Sequence, residues 1–268
     1  MCLCVRRTVP WRAPGMEGEL KMSNQNIYDN QEFFDGYKKL RDDPSAANYV
    51  VEKPALFSLA PDLNNKSVLD LGCGYGENCI RFLELGARKV TGLDISAKML
   101  EVARNENSSP RIEYINKSMT DLDDITDKFD VVFSSLAVHY IEDFDKLARD
   151  VYRLLNPGGY FIFSQEHPLT TALLNADYWT RNSENDIIHY NLTTYTVEGE
   201  RKVAWLVDGV TKYHRTFSTI INSLLGSGFV IEKMLEPVPG SDIMEKYPAY
   251  KRYIHKPDFL LIKARKNS

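Results

Sequence analysis

The sequence predicts an α/β fold built on a largely parallel sheet. Three observations carry that expectation. Short apolar runs alternate with helical stripes from residue 67 onward, which is the order of βαβ units. The first run, Val68-Leu69-Asp70-Leu71, leads straight into Gly72-Cys73-Gly74-Tyr75-Gly76, a turn in which the backbone can approach a ligand closely. Phe144, Leu147, Ala148, Val151, Leu154 and Leu155 recur at the spacing of one buried helix face.

In chain order, residues 1–22 read as a disordered tail: Arg6, Arg7 and Arg12 occur with no acid before Glu17, and Met16 or Met22 is an alternative start. Residues 23–66 read as an N-terminal helical cap carrying Tyr28, Phe33, Phe34, Tyr37 and Leu40, punctuated by Pro44, Pro54 and Pro61. Residues 67–268 form the main domain. After the glycine turn, Cys79, Ile80, Phe82 and Leu83 mark a helix stopped by Gly86. Val90 to Leu93 is a second strand ended by Asp94, and Ser96 caps a helix carrying Met99, Leu100 and Ala103. Arg111 to Ile115 and Asp130 to Phe133 are the third and fourth strands. Asp143 caps the helix that begins at Phe144, and Asn156-Pro157-Gly158-Gly159 ends it. Tyr160 to Ser164 is the fifth strand.

The alternation breaks at Glu166-His167-Pro168. Residues 168–213 hold no long helical stripe but carry Tyr178, Trp179, Tyr190, Tyr195, Trp205 and Tyr213. Glu198-Gly199 and Asp208-Gly209 are hairpin-turn signals, so this stretch reads as an antiparallel flap inserted after the fifth strand. A helix with Phe217, Ile220, Ile221, Leu224 and Leu225 follows, and Phe229–Met234 and Asp258–Ala264 close the sheet.

With 33 basic and 37 acidic residues the net charge is −4, which argues against broad nucleic-acid binding. Four cysteines do not make a secreted disulfide framework. No apolar run reaches the ~18–20 residues of a bilayer span, so no membrane partner and a cytoplasmic location are expected. His139 and His167 lack a third metal ligand at suggestive spacing, and no metal is expected.

In an open α/β sheet the ligand lies beyond the carboxyl ends of the strands. Gly72/Gly74/Gly76, Asp94, Lys117–Asp121 and Ser134–Tyr140 all fall there. The glycine spacing is not that of a dinucleotide loop, whose third glycine would fall at Glu77, and a carboxylate there would repel a pyrophosphate. The ligand is therefore expected to be a nucleoside without phosphates. Asp94 lies 20 residues beyond Gly74, where an acid can accept both ribose hydroxyl protons. A nicotinamide oxidoreductase and a catalytically silent cofactor-binding protein are the rival readings.

VLDLGCGYGEN, VTGLDIS, FDVVFSSLAVHY and LNPGGYFIF, in that order, resemble a class I S-adenosylmethionine-dependent methyltransferase of the small-molecule, type 11-like branch. The resemblance implies a Rossmann-like seven-stranded methyltransferase sheet with helices on both faces and the last strand antiparallel. It implies S-adenosyl-L-methionine as cofactor and a small-molecule methyl acceptor as partner. Gly72 and Gly74 would meet the methionine part, with Asp70 orienting their loop. Asp94 would hold the ribose, Ile95 would pack on the adenine, and Ser118 and Met119 would meet its edge; many family members have Asp at the position of Ser118. Ser135 and Leu136 would lie near the sulfonium, and Tyr37 would cover the cofactor. His139 is the residue type suited to act as a base where the acceptor keeps a proton, and His167 would line the acceptor pocket. The His214-Arg215 pair reads as a solvated helix start.

Overall fold

The computed structural model describes residues 27–41, 43–174 and 177–268; the expected tail lies outside these residues. The helices are α1 Gln31–Arg41, α2 Lys53–Ser58, α3 Glu77–Glu84, α4 Ala97–Glu106, α5 Phe144–Leu154, α6 Pro168–Ala172, α7 Phe217–Gly226 and α8 Ser241–Lys246. The strands are β1 Ser67–Leu71, β2 Lys89–Asp94, β3 Ile112–Asn116, β4 Phe129–Ser134, β5 Leu155–Glu166, β6 Trp179–Arg181, β7 Ile187–Tyr190, β8 Gly199–Trp205, β9 Val207–His214, β10 Phe229–Leu235 and β11 Phe259–Lys266. Seven of them form one sheet in the order β10-β11-β5-β4-β1-β2-β3. β1 to β5 pair in parallel, and β11 runs antiparallel to both β5 and β10. This is the seven-stranded, last-strand-reversed sheet that the sequence motifs implied.

Strands covered on both faces read as unbroken apolar runs, which is why Val68–Leu71 and Val131–Ser134 do not alternate. The pleat still sorts their side chains. Leu69, Val132, Phe161 and Leu260 face a core completed by α5 and α7 through Leu147, Val151, Ile220 and Leu224. Val68, Val131, Ile162 and Leu261 face the opposite core with Leu56 and Phe82. There the Phe82 and Phe133 rings stack at 4.5 Å. Ser96 and Asp143 cap α4 and α5 as their positions suggest, accepting from the backbone N–H of Met99 and Lys146.

Three local expectations are corrected. β5 starts at Leu155, not Tyr160: Leu155 pairs with Phe129 and Tyr160 with Val131, so the Asn156–Gly159 turn is absorbed as a bulge inside the strand. The antiparallel flap after β5 is present as two hairpins, β6–β7 and β8–β9, and its turn position is what differs. The second reverses at Leu206 (φ 61°), while Asp208-Gly209 bulges inside β9. Finally, His214 and Arg215 are buried. His214 lies between the Thr171 hydroxyl and the Tyr195 carbonyl oxygen, and Arg215 donates to Glu142 O.

Gly76 closes the turn before α3 at φ +78°, and a Cβ there would lie 2.1 Å from Tyr114 Oη. Tyr114 is fixed by donation to Asn107 O at 2.6 Å. Gly76→Ala should destabilise the protein by about 2–3 kcal/mol in urea unfolding, through backbone strain and overpacking together. Adding Tyr114→Leu should recover only the steric share; an unchanged midpoint in the single variant would show that the turn tolerates a side chain.

Candidate active site

A cavity of about 740 Å³ opens at the carboxyl ends of β1, β2, β4 and β5. Because β11 is reversed, the residues before its amino end reach the same edge, with Phe259 opposite Glu166. Asp94 and Asp258 both line the cavity. The ends of β2 and β11 are four strand spacings apart, roughly 19 Å, so one cavity crosses five strands.

At the β1–β2 end, Leu93 O accepts from the N–H of Gly72 at 2.7 Å and of Cys73 at 3.0 Å. Asp94 Oδ2 accepts from Gly74 N and Oδ1 from Ser96 N, both at 2.8 Å. Burial raises the Asp94 carboxyl above the usual carboxylate range, and the N–H donors of Ser96 and Gly74 oppose that rise. A Cβ on Gly72 would strike Ala137 Cβ at 2.6 Å, whereas one on Gly74 (φ +53°) would meet nothing within 4 Å. The backbone at Gly74 therefore opens directly onto the cavity. Ile95, Ser118 and Met119 line the same end.

Asp70 lies below this loop, buried and outside the cavity wall. Its Oδ2 accepts from the Cys79 thiol at 3.6 Å, and its Oδ1 has no partner among the described residues. Burial pushes its carboxyl up to about 7 despite that thiol donor.

The tip of β4 is held by donation from Ser134 Oγ to Leu71 O at 2.8 Å. Leu136 has φ 51°, an uncommon conformation for a branched side chain and one that functional sites often hold under strain. Its N–H is fixed by Ser164 Oγ at 2.9 Å and Ser164 O at 3.1 Å. Ser135 Oγ donates at 2.9 Å to Glu52 Oε1, which also accepts from Ser164 Oγ. Glu52 is fully buried, and burial raises its carboxyl against these hydroxyl donors.

His139 lines the cavity, and its Nδ1 accepts a long hydrogen bond from Glu166 N at 3.5 Å. Burial lowers its pKa to about 4, with Glu166 opposing and Lys212 and Arg215 assisting. The ring is neutral at pH 7, and the acceptor role of Nδ1 places the remaining proton on Nε2. A neutral ring with Nδ1 engaged leaves the Nε2 N–H as the group His139 can offer a ligand. His167 does not reach the cavity. Its Nδ1 caps α6 by accepting from Leu169 N at 3.1 Å, and its Nε2 meets Glu236 Oε1 at 2.8 Å. Both ring nitrogens serve the fold, which removes the expected pocket role.

Aromatic side chains from three segments roof the cavity. Tyr37 of α1 packs on Tyr28 at 5.5 Å, Tyr75 at 5.9 Å and Trp205 of β8 at 6.3 Å. Trp179 of β6 lines the far end with Lys256 Nζ 5.8 Å from its ring. Glu77 bonds Arg41, Lys53 and Tyr49, tying α3 to the N-terminal helices. Glu52, Arg252, Lys256 and Asp258 were missed in the sequence. The usable signal for the last three was charge just before a strand that had to end at the ligand edge.

The buried Asp70 makes a pH prediction. Between about pH 4 and 7 folded Asp70 keeps a proton that the unfolded chain, with its carboxyl near 3.8, has released. Stability should fall as pH rises through that window. Asp70→Asn, which mimics the protonated form, should lose less stability between pH 5 and 7 in urea melts than the parent; equal losses would discharge Asp70 from this role.

The family model for a methyltransferase domain matches residues 68–159. An uncharacterized protein of Haemophilus influenzae is 40% identical over 252 residues, covering 91% of this chain and 99% of its own. A malonyl-[acyl-carrier protein] O-methyltransferase of Buchnera aphidicola is 33% identical over 157 residues, which span 55% of this chain and 62% of that protein. The crystal structure of an S-adenosylmethionine-dependent methyltransferase from Mesorhizobium loti superposes with a TM-score of 0.76 at 39% identity, over 85% of this chain and 100% of that one. Matches of that identity cover most of the chain, and the chain belongs to the S-adenosylmethionine-dependent methyltransferases.

Proposed function

We propose that the protein transfers a methyl group from S-adenosylmethionine to an O, N or C atom of a small molecule enclosed beneath the two hairpins. The observation that carries this reading is the single cavity running from Asp94 to Trp179. The cofactor supplies, when bound, a methyl group already activated as a sulfonium. The chain's own residues then have to bind, orient and exclude water.

The open backbone at Gly74 and the buried Asp94 carboxylate beside it suit a nucleoside. In this reading Asp94 accepts from the ribose hydroxyls, Ile95 packs on the adenine, and Ser118 and Met119 meet its edge. Gly72 and Gly74 accommodate the methionine part, Ser135 and Leu136 lie beside the sulfonium, and Tyr37 closes over it. Asp70 acts from below as a positioning residue. His139, neutral and protonated on Nε2, orients the acceptor by donating to it. Trp179 and Trp205 wall the acceptor and keep water out.

S-adenosylhomocysteine titrated calorimetrically tests this arrangement. It should bind the parent protein, and Asp94→Asn should weaken it about 10–100-fold, the worth of one charge-assisted hydrogen bond. Trp179→Ala should leave that affinity within about twofold, since its contacts lie at the other end. A parent protein that ignores S-adenosylhomocysteine, or an Asp94→Asn variant with undiminished affinity, would sink this reading of the site.

A further inference from the structure

At the β5–β11 end of the cavity stand three charged side chains that the proposed transfer leaves without a role. Asp258 accepts from Arg252 Nη2 on Oδ2 and from Lys256 Nζ on Oδ1, the latter at 2.7 Å. Lys256 Nζ also donates to Thr170 Oγ1 at 2.8 Å. Its side chain is only 3% exposed and that of Arg252 28%. All three residues line the cavity. Two cations share one carboxylate, so the group carries a surplus positive charge.

The neighbouring charges do not remove that surplus. Glu166, which also lines this end, is bound to the ammonium of Lys212. Arg41 and Lys53 show the same two-to-one ratio around Glu77, but the buried carboxyl of Glu52 lies close to both. Among the described residues Glu166 also faces Lys256, but it is bound to Lys212, so Arg252, Lys256 and Lys212 meet two carboxylates and one positive charge is left in surplus. A buried, uncompensated charge is costly to hold, and a bound sulfonium would add another positive charge to the same enclosure.

We infer that Arg252, seated by Asp258 and flanked by Lys256, receives a carboxylate carried by the methyl acceptor, and that this acceptor is an aromatic carboxylic acid. The guanidinium offers five N–H donors in a planar fork, and one of its nitrogens is taken up by Asp258. Fork and carboxylate match in shape. A single negative charge balances the single surplus, where a phosphate would overshoot it. The aromatic body is indicated by Trp179, which lines this end of the cavity with its ring 5.8 Å from Lys256 Nζ and is backed by the Tyr190 ring at 5.3 Å. Tyr178 lines the cavity beside them.

This inference rests on the methyl-transfer reading, and the experiment separates the two. Benzoate, cinnamate and 3-phenylpropionate are titrated into the full chain saturated with S-adenosylhomocysteine, alongside their amides and phenyl phosphate. At least one acid should bind about tenfold or more tightly than its amide and than phenyl phosphate. Arg252→Gln should abolish that preference with S-adenosylhomocysteine affinity unchanged. Arg252→Lys keeps the charge, spares the fold and loses the fork, and it should reduce the preference partway. Asp258→Asn enlarges the surplus and should strengthen acid binding, the reverse of what loss of a merely structural ion pair would do. Amides that match the acids, phenyl phosphate that outbinds them, no binding by any acid, or an acid preference that survives Arg252→Gln would each overturn the inference while leaving cofactor binding intact. Failure of S-adenosylhomocysteine itself to bind would instead strike the methyl-transfer reading.

Discussion

The carboxylate of Asp94 holds two loops at once. One oxygen fixes the N–H of Gly74 and the other fixes that of Ser96, so the glycine turn after β1 and the start of α4 share one anchor. Ser96 extends the connection, capping α4 and donating to Asp29 at 2.6 Å. The N-terminal segment is thereby tied to the carboxyl end of β2. Charge-assisted hydrogen bonds of this kind are the stronger ones in proteins. Here they satisfy a buried acid that would otherwise carry the full cost of desolvation. The shape of the cavity follows, because the floor at Gly72–Gly74 and the roof at Tyr28 and Tyr37 are set by the same residue.

The two ends of the cavity are built differently. The Asp94 end has its floor in consecutive strand–loop units of the sheet between Val68 and Tyr140. The other end is assembled from pieces far apart in the chain: the hairpins after β5, the short turn Pro248–Ile254 and the residues leading into β11. Ion pairs hold those pieces in place, Glu166 with Lys212 and Asp258 with Arg252 and Lys256. The matched family model spans the first set and stops before the second.

That division also explains what the sequence made legible. Strand–glycine–helix order is a local signal, and it located β1 to β4, the loop at Gly72–Gly76 and the caps at Ser96 and Asp143 within a residue or two. Hydrophobic periodicity could not see the bulge at Asn156–Gly159, since a strand can absorb a turn when pairing on either side is strong. The reversal at Leu206 was hidden for a related reason: Asp208-Gly209 has turn chemistry, but its extra residues were used to bulge β9. The histidines show the sharpest limit. Residue type and strand position made His139 and His167 look alike, and only the partners of their ring nitrogens separate them. Those partners, Glu166 N and Glu236 Oε1, are set by tertiary contacts that no spacing rule encodes.

The reversal of β11 has a practical consequence for handling the molecule. Its amino end meets the cavity, and its eight residues carry the chain roughly 25 Å to the opposite sheet edge. There Asn267 O accepts from Gly158 N at 3.4 Å, beside the bulge of β5. A fluorophore, affinity handle or sensor-chip tether joined after this strand would therefore stand behind the sheet. It would leave the mouth of the cavity and both hairpins facing free solution.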